Sequence, residues 1–571
     1  MTRPWTQYYP PSTSRDIPAI SWPHLPAFIA QAIATFRDRP AFTLYLPSGT
    51  QGTLTYGDVD RLADQLAVYL REVAGFSAGD RIVIQMPNCL AYPIAVFGCL
   101  RAGLVMVNTN PLYTTAEMTY QFADSEAVGL IAIDVFANKV ADVLPKTSIR
   151  RVVLVSVADL LPPVKRFVVR TVQKYVRKMI PPVTFEHITF PAALAEGATR
   201  IASGADPLAY QQALTLDHVA ALQYTGGTTG ISKGASLTHR NLLANVTASL
   251  EMWKPFLDRG TEVMLTALPL YHIFAFTANL MIFFAMGGRN ILIPSPRPFS
   301  NLKLVMEREP ITWFTGINTL FIALMNEPWF QAITTWKLKG TVAGGMALMP
   351  AVGQRWEAMT KTPIYQGYGM TETSPVVTLN PFHRAKMDSI GVPVPGTDVR
   401  LVDDQNRDVP AGQPGELLVR GPQVMAGYWR RDDETAKVMR EGWLATGDVA
   451  TSDAEGYLRI VDRKKDMILV SGFNVYPTEV ETVLAQHPDV AEVCVLGVPD
   501  PLCGEAVVAF VVPKRPSLTA DDIQRHAKSA LTNYKVPKTV VFRSELPKSN
   551  VGKILRKDLR EAAIQAHAAD G

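Results

Sequence analysis

Short apolar runs alternate with helix-like stretches through most of this chain. Residues 81–86 form one such run, followed by a helical pattern over about 92–100. Residues 104–107 are the next run, then come a second helix near Thr115–Asp124 and a third run at 130–133. Strand followed by helix, repeated, predicts parallel sheets covered by helices. The last hundred residues read differently. Helix patterns at 477–487 and 520–531 are interleaved with strand patterns at 491–497, 506–512 and Thr539–Phe542. That order predicts a small α+β unit able to fold by itself. The charged run Asp462, Arg463, Lys464, Lys465, Asp466 lies just before it and marks the expected boundary. The expected class is α/β, with a large N-terminal domain of helix-covered sheets, 1–464, and a small α+β domain, 465–571, on a hinge.

One apolar segment needs separate weighing. Residues 263–288 contain no Asp, Glu, Lys or Arg, a length that could span a bilayer. Polar groups at Tyr271 and His272, beside Pro269, interrupt it. The reading is a buried strand at 263–267, a loop, and a buried helix at 275–286.

Composition narrows the class further. Of 571 residues 47% are apolar and 19% charged, which excludes disorder. A net charge of +4, from 56 basic and 52 acidic residues, gives no nucleic-acid footprint. Cys89, Cys99, Cys494 and Cys503 form no CxxC pair, so neither a disulfide framework nor a zinc site is expected. The polar, Pro-rich start has no apolar signal core, and a cytoplasmic location is expected. Within 163–180, Lys165, Arg166, Arg170, Lys174, Arg177 and Lys178 interleave with Phe167, Val168, Tyr175 and Val176. This fits a basic amphipathic helix in peripheral contact with the inner membrane, or a solvated helix packed on its own domain.

The candidate chemistry starts at residues 224–234, Tyr-Thr-Gly-Gly-Thr-Thr-Gly-Ile-Ser-Lys-Gly. An apolar strand at 219–222 enters it and a helix, His239–Trp253 with Thr238 as cap, is expected after it. Strand, glycine-rich loop and helix together cradle phosphate. Gly226, Gly227, Gly230 and Gly234 let the backbone approach an anion. Thr225, Thr228, Thr229 and Ser232 add hydroxyls, and Lys233 a positive charge. The Walker pattern fails because Lys233 is followed by Gly234. Gly230-Ile-Ser232-Lys-Gly234 matches the hydrolase elbow, but Ser232 lies eight residues beyond Tyr224 instead of straight off a strand.

Residues 224–234 resemble the phosphate loop of the adenylate-forming superfamily of acyl-CoA synthetases, luciferases and adenylation domains. Further motifs follow in that superfamily's order. Gly344, Gly345, Met346 and Ala347 resemble its adenine-side loop. Gln366, Gly367, Tyr368, Gly369, Met370, Thr371 and Glu372 resemble its core motif. The run 445–448 ending in Asp448, with Arg463, resembles the ribose-binding pair. Lys465 falls at the hinge and Lys553 at the lysine of the C-terminal domain. Each has a physical sense. Glu372 beside a triphosphate needs a cation between them, and a carboxylate with phosphate oxygens suits Mg2+. Thr371 can donate to the α-phosphate, Tyr368 offers adenine a flat face, and Asp448 can accept both ribose hydroxyls.

Within the superfamily the chain is most similar to bacterial long-chain fatty-acid–CoA ligases. His272 and Phe276 fall at their acyl-pocket entry and aromatic gate. Leu469 stands where aryl-CoA ligases carry lysine, which fits an aliphatic acid. The resemblance implies two half-reactions. A fatty acid carboxylate attacks the α-phosphorus of ATP, giving acyl-AMP and pyrophosphate, and the CoA thiol then displaces AMP. Thr371, Lys553 and Mg2+ held by Glu372 would offset charge in the first step. The small domain would then rotate about Lys465, bringing Ser471 and Gly472 to the CoA channel. Three alternatives predict other behaviour: a fatty acyl-AMP ligase loading a carrier protein, a serine hydrolase using Ser232, and a non-catalytic lipid-binding protein using 163–180. Chain length and a homodimer stay open.

Overall fold

The computed structural model describes residues 3–225, 232–549 and 554–570. Gly226, Gly227, Thr228, Thr229, Gly230 and Lys553 lie outside the described residues.

The sequence rhythm produces two large sheets. In the first, six parallel strands run side by side: Pro40–Tyr45, Arg289–Leu292, Val263–Thr266, Trp313–Gly316, Gly340–Ala343 and Ile364–Gly369. Val376–Leu379 continues it antiparallel. In the second, Val219–Thr225, Val105–Asn108, Arg81–Gln85, Gly129–Ile133, Arg151–Val155 and Ile188–Thr189 are parallel. The central strands Arg81–Gln85, Val105–Asn108 and Gly129–Ile133 are buried on both faces, as parallel strands under helices must be. All eleven residues of Ala91–Arg101 are buried, and its Tyr92 hydroxyl donates to the Leu270 carbonyl at 2.8 Å. Asn88 donates to the carbonyls of Thr266 and Leu268, so the two sheets share one core.

The uncharged segment resolves as expected into strand, loop and helix, with one difference. A helical turn, Ile273–Ala275, passes into a wide π-type helix, Phe276–Phe283, whose eight residues are all buried. Buried all round and without a charged residue, it turns no face to water, and its polar Thr277 and Asn279 are hydrogen-bonded inside. Among the described residues no helix is long and apolar enough to cross a membrane.

A third sheet contains Asp398–Val402, Gly415–Arg420 and the long strand Trp443–Ser452, which Leu458–Arg463 flanks. The turn Lys464–Asp466 leads on to a last sheet of Ile468–Val470, Phe473–Val475, Val490–Asp500, Gly504–Pro513 and Thr539–Phe542. Helices Pro477–Leu484 and Ala520–Ala530 cover that sheet around a separate core of Ile468, Val480, Val495, Ala509 and Ile523.

At 219–253 the expected strand and the Thr238-capped helix are present, but a second strand stands between the loop and the helix. Lys233–Thr238 is a strand antiparallel to Val219–Thr225, with Thr225 opposite Lys233. The loop therefore closes a hairpin. The helix His239–Trp253 begins six residues later, its first turn capped by Thr238. The strand Lys233–Thr238 thus separates that helix from the loop in sequence, so the loop does not open directly into a helix.

Candidate functional site

The polar residues collect at the carboxyl end of the strand Ile364–Gly369, where open α/β sheets place their ligands. Gly369 is required there, because a Cβ would lie 2.0 Å from the Pro375 carbonyl oxygen. The chain then turns through Thr371–Thr373, leaving Thr371 half-buried and Glu372 buried. The Tyr428 hydroxyl donates to Glu372 Oε1 at 2.7 Å. Burial pushes the Glu372 carboxyl above the ordinary carboxylate range; Tyr428, Arg463 and Lys233 oppose this.

Asp448 and Arg463 are cross-strand partners in adjacent antiparallel strands, Trp443–Ser452 and Leu458–Arg463. Arg463 Nε lies 3.0 Å from Asp448 Oδ1, and the Tyr368 hydroxyl donates to Oδ2 at 2.5 Å. Burial, with the Asp448 charge added, drives the Tyr368 hydroxyl well above its ordinary range. Tyr368 thus joins the Asp448 pair through its hydroxyl as well as offering a ring face. A carboxylate has about four acceptor positions, so Asp448 retains capacity for a sugar diol.

Other expected residues divide. Gly344, Gly345, Met346 and Ala347 follow the strand Gly340–Ala343, next to Ile364–Gly369, with Gly345 and Ala347 exposed. Gly367 and Met370 flank Tyr368 on the same strand end. Gln366 is buried, and its amide donates to the Met387 carbonyl at 2.5 Å. Phe276 is buried and His272 half-buried at the start of the uncharged helical segment. Thr277, beside Phe276, donates to the Ser374 carbonyl at 3.1 Å, which fastens that segment to the Glu372 turn. Lys465 sits in the turn Lys464–Asp466, its ammonium disfavoured by burial and then by Arg463. Ser471 and Gly472 form an exposed two-residue hairpin tip with φ of +51° and +84°. Two positive φ values match the twist of a tight hairpin. Any side chain at Gly472 is strained by that backbone before it narrows a channel.

Ser232 Oγ donates to the Thr225 carbonyl at 2.6 Å and closes the hairpin base. Its hydroxyl is engaged with backbone, and it stands between antiparallel strands, so the hydrolase elbow lacks its context.

Two residues were missed in the sequence. Tyr428 holds Glu372, and Glu434 forms an ion pair with Lys233, whose ammonium lies 5.1 Å from the centre of the Tyr428 ring. The Lys233 contact, then that of Lys437, draws the Glu434 carboxyl down to about 2. The signal was present: Gly427-Tyr-Trp, then an acidic helix start at Asp432, Asp433 and Glu434.

Residues 29–429 match the family model of the AMP-binding enzyme, and 479–553 that of the AMP-binding enzyme C-terminal domain. A long-chain-fatty-acid–CoA ligase of Yersinia pestis is 45% identical over 572 residues, covering all of both chains. One of Haemophilus influenzae is 41% identical over 99% of each. Among solved structures, an anthranilate CoA ligase bound to anthranoyl-AMP superposes with a TM-score of 0.82, at 25% identity, covering 96% of this chain and 98% of that one.

Proposed function

The chain belongs to the AMP-binding enzyme family, and from that premise we infer that it is an ATP-dependent long-chain fatty acid–CoA ligase. It joins a fatty acid to CoA through an acyl-AMP intermediate, releasing pyrophosphate and then AMP. The observation that carries the reading is the convergence of Tyr368, Asp448 and Arg463 beside the buried Glu372.

The residue roles are this reading's own. Asp448 and Arg463 hold the ribose, Tyr368 and the loop 344–347 the adenine. Thr225, Thr228, Thr229 and Lys233 position the β- and γ-phosphates, with Gly226, Gly227 and Gly230 allowing close approach. Lys233 would exchange Glu434 for phosphate as ATP enters. Thr371 and Lys553 stabilise the oxygens that gain charge at the α-phosphorus, an electrostatic task requiring no protein nucleophile. Glu372 is suited to Mg2+: a buried carboxylate raised by desolvation, with Tyr428 on one oxygen, gains from a cation. Among the described residues no cluster of three or more His, Cys, Asp or Glu could hold a metal unaided. Phosphate oxygens would complete the shell, and bound Mg2+ would offset triphosphate charge. His272 and Phe276 border the acyl pocket, the small domain begins after residue 464 and turns about Lys465, and Ser471 and Gly472 border the CoA route.

The exposed segment 163–180 supports a cytoplasmic enzyme held peripherally at a membrane. Val164, Phe167 and Val176 are 76%, 72% and 71% exposed among its basic residues. Whether the enzyme works as a homodimer is a question for solution measurements. The function is tested by AMP release with ATP, Mg2+ and CoA across acids from acetate to oleate. CoA-dependent AMP release with long-chain acids is expected. Acyl-AMP that accumulates despite CoA would favour a carrier-loading acyl-AMP ligase instead.

A further inference from the structure

A cavity of about 530 Å³ lies away from the nucleotide residues, at the carboxyl ends of Gly129–Ile133 and Arg151–Val155. Asp134 and Ser156, each the residue directly after its strand, line it. Arg170 and Lys174 come from the helical segment Pro163–Thr171 and its continuation Val172–Val176, and Tyr175 and His187 complete the polar lining with Thr189. The same segment carries Val164, Phe167 and Val176 exposed on its surface.

The acidic lining residue asks for a donor. Asp134 is 5% exposed, and its buried Oδ1 accepts no hydrogen bond among the described residues. Asp159, 1% exposed and outside the lining, is alike: Oδ2 accepts from the Ser156 amide at 2.8 Å, while Oδ1 has only Arg170 at 3.9 Å. A buried carboxylate oxygen left in this state is costly. Burial pushes both carboxyls up to about 6, although Arg170 and nearby backbone amides already pull them down, and a further cation would favour their charged form. Arg170 and Lys174 in the same lining supply the opposite charge and suit a phosphate. A simple anion would be repelled by Asp134, and a simple cation by Arg170 and Lys174. A ligand with an amine at one end and a phosphate next to it satisfies both.

We propose that this cavity binds the headgroup of a zwitterionic aminophospholipid, its primary ammonium on Asp134 and its phosphate on Arg170 and Lys174. The acyl chains leave past Tyr175 and the apolar stretch 180–183 into the layer that the exposed Val164, Phe167 and Val176 enter. The proposal rests on the membrane reading of 163–180 and adds selectivity for one headgroup. A quaternary ammonium donates no hydrogen bond, so choline lipids are discriminated against.

Two assays on the full chain separate the proposal from the membrane reading. In the first, soluble dihexanoyl phosphatidylethanolamine and its choline analogue are titrated calorimetrically. The ethanolamine lipid is expected to bind about tenfold more tightly, one charge-assisted hydrogen bond's worth. Asp134→Asn should erase that difference, and Lys174→Ala should weaken both lipids alike. Equal affinities for the two lipids, no binding of either, or a preference that survives Asp134→Asn would overturn the proposal. In the second, co-sedimentation is measured with phosphatidylglycerol vesicles containing either phosphatidylethanolamine or phosphatidylcholine. Wild type should favour the former, and Asp134→Asn should not; a variant that kept the preference would count against the pocket. Phe167→Glu with Val176→Glu should lower binding to both vesicles. If that pair has no effect while Asp134→Asn abolishes discrimination, the membrane reading fails and the headgroup site stands.

Discussion

The two large sheets finish differently where their parallel strands end. Beyond Ile364–Gly369 each charge already has a protein partner. Asp448 holds Tyr368 and Arg463, Glu372 holds Tyr428, and Lys233 holds Glu434. Beyond Gly129–Ile133 and Arg151–Val155, Asp134 and Asp159 each keep a buried oxygen that accepts nothing among the described residues. The same architectural position thus serves in two ways. Mutual partners fix side chains before a ligand arrives, which is what charge stabilisation in a reaction needs. An oxygen without a protein donor leaves room for water or a ligand to supply one.

The comparison breaks most sharply at its catalytic pole. Lys553→Ala is expected to slow the first half-reaction by about two to three orders of magnitude, while thiolysis of supplied acyl-AMP continues. Pyrophosphate–ATP exchange measures this, and an unchanged exchange rate would remove Lys553 from the role. A smaller effect tests whether mutual partnering matters. Tyr428→Phe takes the donor from Glu372 and should lower kcat/KM for ATP about tenfold, raising the Mg2+ concentration needed for half-maximal rate. Unaltered Mg2+ dependence would mean that Glu372 is held without Tyr428.

The smallest effect concerns the unpartnered pole. Asp134 has an ordinary value of 3.8 and a folded value of about 6. Between these the folded chain binds the proton more tightly than the unfolded chain. The resulting stability is present below about pH 4 and lost as pH rises through about 6. Asp134→Asn escapes that loss. It should raise Tm by about 1 to 2 °C at pH 7.5 and hardly at all at pH 4. An equal shift at both pH values would show that the gain is packing and not charge. Asp159 remains in the variant, so part of the pH slope persists.

Much of this was legible from the chain. The run at 81–86, the helix Thr115–Asp124 and the strand Thr539–Phe542 follow from apolar spacing, and Asp448 with Arg463 from ordered motifs. The strand Lys233–Thr238 was not legible. Lys233, Gly234, Ser236 and Thr238 carry little apolar signal, and pairing with Val219–Thr225 and Gly427–Tyr428 makes the strand. Tyr428 and Glu434 stand in a stretch with a local signal, but their partners were not legible: one reaches across 56 residues to Glu372, the other across 201 to Lys233. Gln366 shows the converse, a motif residue whose side chain serves the fold by holding the Met387 carbonyl.

Arg463 closes one strand, and the very next residues, Lys464–Asp466, make the turn into the small domain. The ribose site proposed at Asp448 and Arg463 therefore lies beside the proposed pivot, Lys465. A swing about that pivot would move distant points far and near points little, as a door moves its handle more than its hinge pin. On that proposal, the nucleoside end of the intermediate stays in one place while the chemistry at its other end changes hands.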